Sequence, residues 1–364
     1  MLLVIISVGC KPSSKNQNEK YSADFQLILD GEINDSIPGI LLNVTAPKFG
    51  IDWSGASGLN DWHQGVPLQA DQTFRIASVT KTYVAATILR LWEDKKLSLD
   101  DYITRYISAE HAAILEKGGY IPSQITIRHL LSHTSGLGDH TNTEKYTVDF
   151  LKNRHVWTRT ETLVDLVTLM KPAGDIGTQF SYSDTGYVLL GEIIETITGL
   201  SMGDAILELL QLKKLGLTDT YLESFDGDFT GKRIHQYHQG HDSYNFHPSL
   251  DYFGGGGLLS TTRDLSHFFH MLFNHKVFAN PSTLDTMLTS VLNGAKLPMD
   301  YRLGIWRIEV NGKEAYTHTG FWGTQTIYIP EMDIAVSANY SQRWHNSSIA
   351  PAIPKIIEVI EKKK

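Results

Sequence analysis

The segment FRIASVTKTYVAATILRL, residues 74–91, places a serine and a lysine one helical turn apart at the start of an apolar helix. Apolar residues recur at near 3.6 spacing from Thr80 to Leu97, which predicts that helix. A serine at a helix start lies where backbone N–H groups favour developing negative charge. Lys81 follows Ser78 by three residues, so its amine can reach the hydroxyl. The pair fits a nucleophile with an adjacent base, although S-x-x-K alone also fits a helix cap followed by a solvated lysine.

Two further segments carry polar groups suited to the same chemistry. FSYSDTGY contains Tyr182 and Asp184. A tyrosine held near a cation can release and regain a proton at a leaving group, but this segment also fits a helix-capping turn. His318, Thr319 and Gly320 lie in a strand-like segment, where a glycine lets a substrate backbone approach the strand edge. Taken alone, that segment also fits an ordinary edge strand.

The periodicity of the whole chain predicts strands at both ends and helices between them. Residues 25–59 and 301–340 have strand-like patterns, and the middle of the chain is mainly helical. Asn-Gly and Pro turns near the C-terminus favour antiparallel hairpins. We therefore predict an α+β fold, with an antiparallel sheet built from both termini and flanked by helices (residues 21–100 plus 252–364). A mainly helical domain, residues 101–251, is inserted into it, and the cleft between the two parts is the expected site.

In this order along the chain, the three motifs resemble those of the serine β-lactamase and DD-peptidase superfamily, whose members carry S-x-x-K, S-D-N and K-T-G. The chain is most similar to the class C-like branch, with Y-x-N in the middle and H-x-G at the end. The resemblance runs from about Ile40 to Tyr340 and includes ITIRHLLSHTSGL, GGLLSTTRDL and YTHTGFWGTQTIYIPE. It implies a β-lactamase/penicillin-binding-protein-like fold, hydrolysis through a covalent acyl-enzyme, no cofactor and no catalytic metal.

The same resemblance implies a role for each motif residue. Ser78 would be the acylated nucleophile. Lys81 would keep Tyr182 or Ser78 deprotonated, and Tyr182 would protonate the leaving group and later activate water. His318 would take the place of the lysine of K-T-G. The backbone N–H groups of Ser78 and Phe321 would form the oxyanion hole, each contributing about 3 kcal/mol. Either Lys81 or Tyr182 fits the role of the base.

Asp184 departs from the family pattern, because most relatives have asparagine there. An amide both donates and accepts hydrogen bonds, whereas an ionised carboxylate only accepts. We therefore expect Asp184 to pair with Lys81 and raise its pKa, which makes the amine a weaker base. This substitution counts against amide recognition of the β-lactam kind and leaves esterase activity open.

The composition limits the class of partner. The chain of 364 residues has a net charge of −8, with 32 basic and 40 acidic side chains and no basic stripe. Proteins that bind nucleic acid through the phosphate backbone need such a stripe. We therefore expect a small-molecule or peptide substrate, such as a cell-wall peptide, and no nucleic acid.

The N-terminus resembles an export signal. Residues 1–10, MLLVIISVGC, form an apolar run that is too short to span a bilayer and ends at Cys10, the only cysteine. Gly9 before Cys10 resembles a lipoprotein cleavage box in which the cysteine is lipidated. Ser7 and the lack of a preceding Lys or Arg depart from that pattern, so a frayed N-terminus is the alternative. With 11–20 as a polar, flexible tether, we expect an exported protein held by a lipid anchor at a bacterial membrane, facing the periplasm or the exterior.

Histidines and one arginine give weaker signals. A metal site would need three or four ligands in fixed geometry, and the loop-like stretch RIHQYHQGHDSYNFH has irregular spacing, so we interpret it as a cleft border that affects substrate choice. Its histidines are His235, His238, His241 and His247. His129 and His133 fit packed or capping side chains. Arg343 fits either a contact to a substrate carboxylate or a surface position.

Several activities remain open. The leading hypothesis is a DD-carboxypeptidase or β-lactamase acting on D-Ala-D-Ala-type peptides or β-lactams. The first alternative is an esterase or D-aminopeptidase of the same fold, because the same groups would serve it. The alternative of another class is a non-catalytic penicillin-binding sensor or scaffold. The intact set of Ser78, Lys81 and Tyr182 disfavours a pure scaffold.

Overall fold

The computed structural model describes residues 14–226, 231–292, 300–344 and 347–363. Strands lie near both ends of the described chain and helices dominate its middle, as the sequence predicts, although a helix precedes the first strand. The helices are α1 (Ser14–Glu32), α2 (Thr80–Glu93), α3 (Ala109–Lys117), α4 (Ile127–Leu131), α5 (Glu144–Val148), α6 (Arg159–Leu169), α7 (Asp184–Thr198), α8 (Met202–Leu209), α9 (Thr262–Phe273), α10 (Ser282–Met287) and α11 (Ala352–Lys362). The strands are β1 (Gly39–Ala46), β2 (Ile51–Asp61), β3 (Val66–Pro67), β4 (Phe74–Arg75), β5 (Tyr221–Leu222), β6 (Tyr237–His238), β7 (His241–Asp242), β8 (Leu258–Ser260), β9 (Asp300–Tyr301), β10 (Trp306–Val310), β11 (Lys313–Gly320), β12 (Thr324–Ile329) and β13 (Ile334–Tyr340).

The main sheet joins the two ends of the chain. Within the described residues it has eight strands in the order β3-β2-β1-β13-β12-β11-β10-β9. Neighbouring strands are antiparallel, and β1 from the N-terminal part pairs with β13 from the C-terminal part, with Ile40 opposite Tyr340. The predicted α+β fold, with an antiparallel sheet built from both termini, is confirmed. The exact division into 21–100 plus 252–364 and 101–251 stays a prediction.

Both faces of the sheet are covered by helices. Strand β1 is buried throughout, and its side chains alternate between two apolar clusters. Ile40, Leu42 and Val44 pack with α1 and α11, while Leu41 packs with the cluster that contains α2, α7 and α9. This double burial explains why GILLNV is a continuous apolar run rather than an alternating one.

The start of the chain corrects two predictions. The segment QLIL, residues 26–29, belongs to helix α1 instead of a strand. Apolar residues four positions apart form the buried face of this helix: Tyr21, Phe25 and Leu29 are buried against the sheet, whereas Leu27 is 72% exposed. The predicted tether, residues 11–20, is wrong from Ser14 onward, since α1 begins there. Residues 1–13, with Cys10, lie outside the described residues, so the lipid anchor stays a prediction.

Helix α1 should contribute strongly to stability through Phe25. Its ring lies 5.2 Å from that of Trp53 on β2, centroid to centroid, in an edge-on contact. We expect Phe25→Ala to lower the free energy of unfolding by about 3–5 kcal/mol, as buried phenylalanine truncations do. Leu27→Ala, on the exposed face of the same helix, is the matched control and should change it by less than about 0.5 kcal/mol. Guanidinium denaturation of the wild-type protein and the two variants measures these changes. If Phe25→Ala and Leu27→Ala have equal unfolding midpoints, α1 does not pack on the sheet as described.

Candidate active site

The serine and the lysine meet at the start of α2. A short 3-10 turn, Ala77–Val79, leads into that helix and carries Ser78. Ala77 has φ of +45°, a left-handed conformation that is strained for a residue with a Cβ and that occurs at functional sites. The Nζ of Lys81 donates a hydrogen bond to the Oγ of Ser78 over 2.9 Å. The predicted pairing of Ser78 with Lys81 is thus present in the structure.

Lys81 is completely buried, and three acceptors surround its ammonium group. Besides Ser78, it donates to the carbonyl oxygen of Gly255 over 2.6 Å and to the carboxylate of Asp184. Burial acts to lower the pKa of Lys81, but Asp184 and then Tyr182 outweigh it and raise the pKa above its ordinary value. The expected pairing of Asp184 with Lys81 is confirmed, and the amine is charged in this arrangement.

Tyr182 lies immediately before helix α7. Ser183 caps that helix by accepting a hydrogen bond from the N–H of Gly186, and this cap fixes the neighbouring tyrosine. The Nζ of Lys81 lies 5.0 Å from the centroid of the Tyr182 ring. Burial raises the pKa of Tyr182 to about 12, although Lys81 acts in the opposite direction. The tyrosine is therefore a neutral phenol near neutral pH, suited to donating a proton.

His133 holds Tyr182 from the other side, a role that the sequence did not reveal. Its ring centroid lies 4.2 Å from that of Tyr182. Its Nδ1 accepts the N–H of Ser183 over 3.1 Å, and its carbonyl oxygen accepts the N–H of Ser181 over 2.8 Å. Burial, with Lys81 and His318 nearby, keeps the pKa of His133 well below its ordinary value. His133 is thus a neutral packed side chain, as predicted, and it brackets the backbone on both sides of Tyr182.

His318 lies on β11, facing the same cleft, but it carries no charge. Its Nδ1 must be the protonated nitrogen, since its partner at 2.9 Å is the carbonyl oxygen of Thr319. Its Nε2 then accepts from the hydroxyl of Tyr301 over 3.1 Å. Burial and the charge of Lys81 lower the pKa of His318 to about 3. The histidine therefore cannot supply the positive charge that the lysine of K-T-G supplies in relatives.

The end of β11 passes close to the segment before Ser78. A Cβ on Gly320 would lie 2.2 Å from the carbonyl oxygen of Ile76, so only glycine permits this approach. The next residue, Phe321, lies outside the strand and is 40% exposed. Its backbone N–H has no acceptor among the described residues, which suits the predicted donation to an oxyanion.

A pocket of about 210 Å³ opens beside Ser78. It lies between the start of α2, the region of α5 and the turn after β11. Four aromatic side chains line it together with a larger number of polar ones. Several of the lining residues were not singled out by the sequence analysis, since they come from separate elements and share no motif. They include Thr141, Asn142, Tyr146, Phe150, Asp251 and Trp322.

The remaining weaker signals have ordinary contacts. His235 bonds Asp242 over 2.7 Å, and His247 bonds Ser249 over 2.8 Å. His238 lines the pocket, as expected of a cleft border. His129 completes a capping box with Thr126, as predicted. Across the described ranges, no group of three or more His, Cys, Asp or Glu side chains could hold a metal ion, and no helix is long and apolar enough to cross a membrane.

Comparison with known proteins agrees with this arrangement. A family model described as Beta-lactamase matches residues 35–358, which is most of the chain. The chain belongs to the Beta-lactamase family. It is a serine hydrolase of that family, and the predicted superfamily is confirmed.

Relatives within the Beta-lactamase family carry several activities in their names. A penicillin-binding protein of Bacillus subtilis (strain 168) is 28% identical over 321 residues, covering 81% of this chain and 66% of that protein. A putative D-alanyl-D-alanine carboxypeptidase of Escherichia coli O157:H7 is 26% identical, covering 75% of this chain and 70% of the other. A solved D-amino acid amidase from Ochrobactrum anthropi SV3 has the same fold, with a TM-score of 0.78, 23% identity and coverage of 96% and 99%. This chain spans about two thirds or less of the first matched relatives' own lengths.

Replacing Asp184 should change both the pH dependence and the bond preference of this family member. In Asp184→Asn, burial still lowers the pKa of Lys81 while the carboxylate that raises it is gone, so the neutral amine becomes available at lower pH. We expect the acid limb of kcat/KM to move down by about one pH unit or more, and amide turnover to rise relative to ester turnover, because an amide also donates. A D-alanyl anilide and the matched ester, assayed from pH 5 to 10, measure this. If the acid limb of kcat/KM does not move and the amide-to-ester ratio is unchanged, the proposed effect of Asp184 on Lys81 is contradicted. Asp285→Asn, at an exposed position on α10, is the control for the change in net charge.

Proposed function

We propose that this serine hydrolase cleaves the amide bond after a small D-amino acyl residue, with D-alanyl peptides as the nearest substrate class, through an acyl-enzyme on Ser78. The single observation that carries the proposal is the hydrogen bond from buried Lys81 to Ser78 at the edge of the pocket. In this reaction the Oγ of Ser78 attacks the carbonyl carbon from the minor form of the site in which the Lys81–Tyr182 pair has lost one proton, so that the pair accepts the hydroxyl proton of Ser78. Tyr182 then protonates the departing amine, and water later releases the acyl group by the reverse path.

The pocket indicates which part of the substrate lies where. Ser78, Asp184 and Phe321 line it, whereas Tyr182 and His318 are not among the lining residues. Since Tyr182 acts on the leaving group, the leaving group departs away from the pocket. The acyl residue therefore occupies the pocket, and its volume of about 210 Å³ suits a small residue rather than a long chain.

The proposed D-amino acyl specificity draws on the relatives. The Escherichia coli relative is named for D-alanyl-D-alanine, and the Bacillus subtilis relative for penicillin. The first of these names specifies a D-alanyl group, which is the acyl group proposed here. The Asp184–Lys81 pair, which replaces the usual asparagine, favours substrates that need no donor from that position.

A second candidate, a DD-carboxypeptidase or β-lactamase, is favoured by Arg343. Such substrates carry a carboxylate, which needs a cation near the leaving-group side. His318 is uncharged, and Lys81 is bound to Asp184. Arg343 is exposed, lies close enough to Tyr182 that ionisation of the tyrosine would raise the pKa of Arg343, and has no carboxylate partner among the described residues. It would bind the terminal carboxylate of a D-alanyl-D-alanine peptide.

The test follows the intact protein mass after adding D-alanyl-p-nitroanilide or benzylpenicillin, with Ser78→Ala as the control. We expect wild type to release p-nitroaniline and Ser78→Ala to release none and to form no adduct. A penicillin adduct that persists would favour the carboxypeptidase, and one that clears while penicillin is consumed would favour the β-lactamase. An adduct that persists in Ser78→Ala refutes Ser78 as the nucleophile. Failure of the wild-type protein to turn over the anilide while it hydrolyses the matched ester would replace the proposal with an esterase.

A further inference from the structure

We propose that Asp251 binds a free ammonium group on the acyl residue, so that the substrates are peptides or amides with an unblocked N-terminal D-amino acid. This inference rests on the proposed function and specifies its substrate class. It assigns to the pocket a cation site formed by one carboxylate and aromatic walls. The enzyme would thus act as an aminopeptidase or amidase instead of cleaving inside N-acylated chains.

Asp251 is placed to meet a ligand in the pocket. It follows the 3-10 turn Pro248–Leu250, and its backbone carbonyl accepts the N–H of Gly256 over 2.7 Å. A Cβ on Gly256 would lie 2.2 Å from the Oδ2 of Asp251, so glycine leaves the space that the carboxylate occupies. The side chain lines the same pocket as Ser78, and no donor among the described residues bonds its oxygens. A mostly buried carboxylate without a donor calls for a partner from the ligand.

The cations near Asp251 are already bound to other groups. Arg75 donates to Glu223 over 2.7 and 2.9 Å and to the carbonyl oxygen of Ser243 over 2.9 Å. Lys81 is held by Asp184. Because Lys81 cancels the charge of Asp184, the negative charge left for a ligand at the pocket is that of Asp251 in its ionised form. That charge attracts an ammonium group and repels a carboxylate.

The walls of the pocket suit a cation as well. Tyr146, Phe150, Phe321 and Trp322 line it with Asp251. Aromatic faces attract cations, most strongly where water is excluded. An N-acylated residue in the same place offers one neutral N–H and no positive charge, so it would compensate the carboxylate less well, which costs binding free energy. The pocket therefore distinguishes a free amine from a blocked one.

Ionisation of Asp251 sets the expected pH dependence. Burial, with Glu223 and Asp184 nearby, raises the pKa of Asp251 to about 7 against the opposing charges of Arg75 and Lys81. Tyr146, which lines the pocket with Asp251 and His238, has a pKa well above its ordinary value because of burial, so it stays neutral. The carboxylate is protonated below about pH 7, and binding of an ammonium substrate should weaken there. An α-amino group loses its own proton above about pH 8, so binding should weaken again on the alkaline side.

The decisive experiment compares D-alanyl-p-nitroanilide with N-acetyl-D-alanyl-p-nitroanilide. We expect wild type to prefer the free amine at least about tenfold in kcat/KM at pH 7.5, mainly through KM, which corresponds to about 1.4 kcal/mol. In Asp251→Asn the preference should fall to about one, because kcat/KM for the free amine falls relative to kcat/KM for the acetylated anilide. The low-pH loss of affinity for the free amine should also disappear in the variant. Asp285→Asn is the control for net charge.

Two results would overturn the inference while leaving the proposed function intact: equal turnover of both anilides by wild type, or a preference that Asp251→Asn leaves unchanged. Should the variant fail to fold, as seen in its melting curve, the wild-type preference and its pH dependence decide. If neither anilide is hydrolysed, the proposed function fails, and binding still tests Asp251. Ser78→Ala should then bind D-alanyl-D-alanine at least about tenfold more tightly than its N-acetyl form, and equal affinities contradict the inference.

Discussion

The ion pair between Lys81 and Asp184 is the interaction on which the site depends. The ammonium group is fully buried, and removing a charge from water costs several kcal/mol unless close partners replace the solvent. Its acceptors come from three parts of the chain: the turn before α2, the first residue of α7 and the loop at Gly255. Because each must be in place to satisfy one nitrogen, the buried charge ties α7 and the loop at Gly255 to the start of α2. The Ser78 hydroxyl is oriented by the same requirement.

The charge of Lys81 also controls its neighbours. His318 and His133 remain neutral, because burial and the nearby positive charge of Lys81 both lower their pKa values. Asp139 is affected in the opposite sense: burial and the carboxylate of Asp184 raise its pKa to about 7. The cleft thus has one buried ion pair, two neutral histidines and carboxyl groups that titrate near neutral pH. The two neutral histidines lack the proton that general-acid catalysis would need, which favours the proposed proton-transfer path through Ser78, Lys81 and Tyr182.

Features of the structure that depend on local sequence were predicted better than features that depend on contacts between distant segments. Ser78 and Lys81 are three residues apart on one helix, so their contact follows from helical geometry alone. The sheet from both termini followed from strand-like runs and hairpin turns. Helix α1 was misread because a window on QLIL omits Tyr21 and Phe25, whose spacing of four reveals the buried face. Asp251 could not be found, since its place beside Ser78 depends on the packing of several loops.

In the proposed reaction, the charges of the cleft would orient a substrate along it. Asp251 and Asp184 lie at the pocket where the proposed acyl group binds, while Arg343 lies near Tyr182, which we propose protonates the leaving group. A dipeptide zwitterion carries an ammonium group at its acyl end and a carboxylate at its leaving end. Its two charges match the two ends of this cleft, and the reversed orientation would bring like charges together at both ends. The scissile carbonyl of a short D-amino acyl peptide would then face Ser78, which is the geometric requirement for efficient attack.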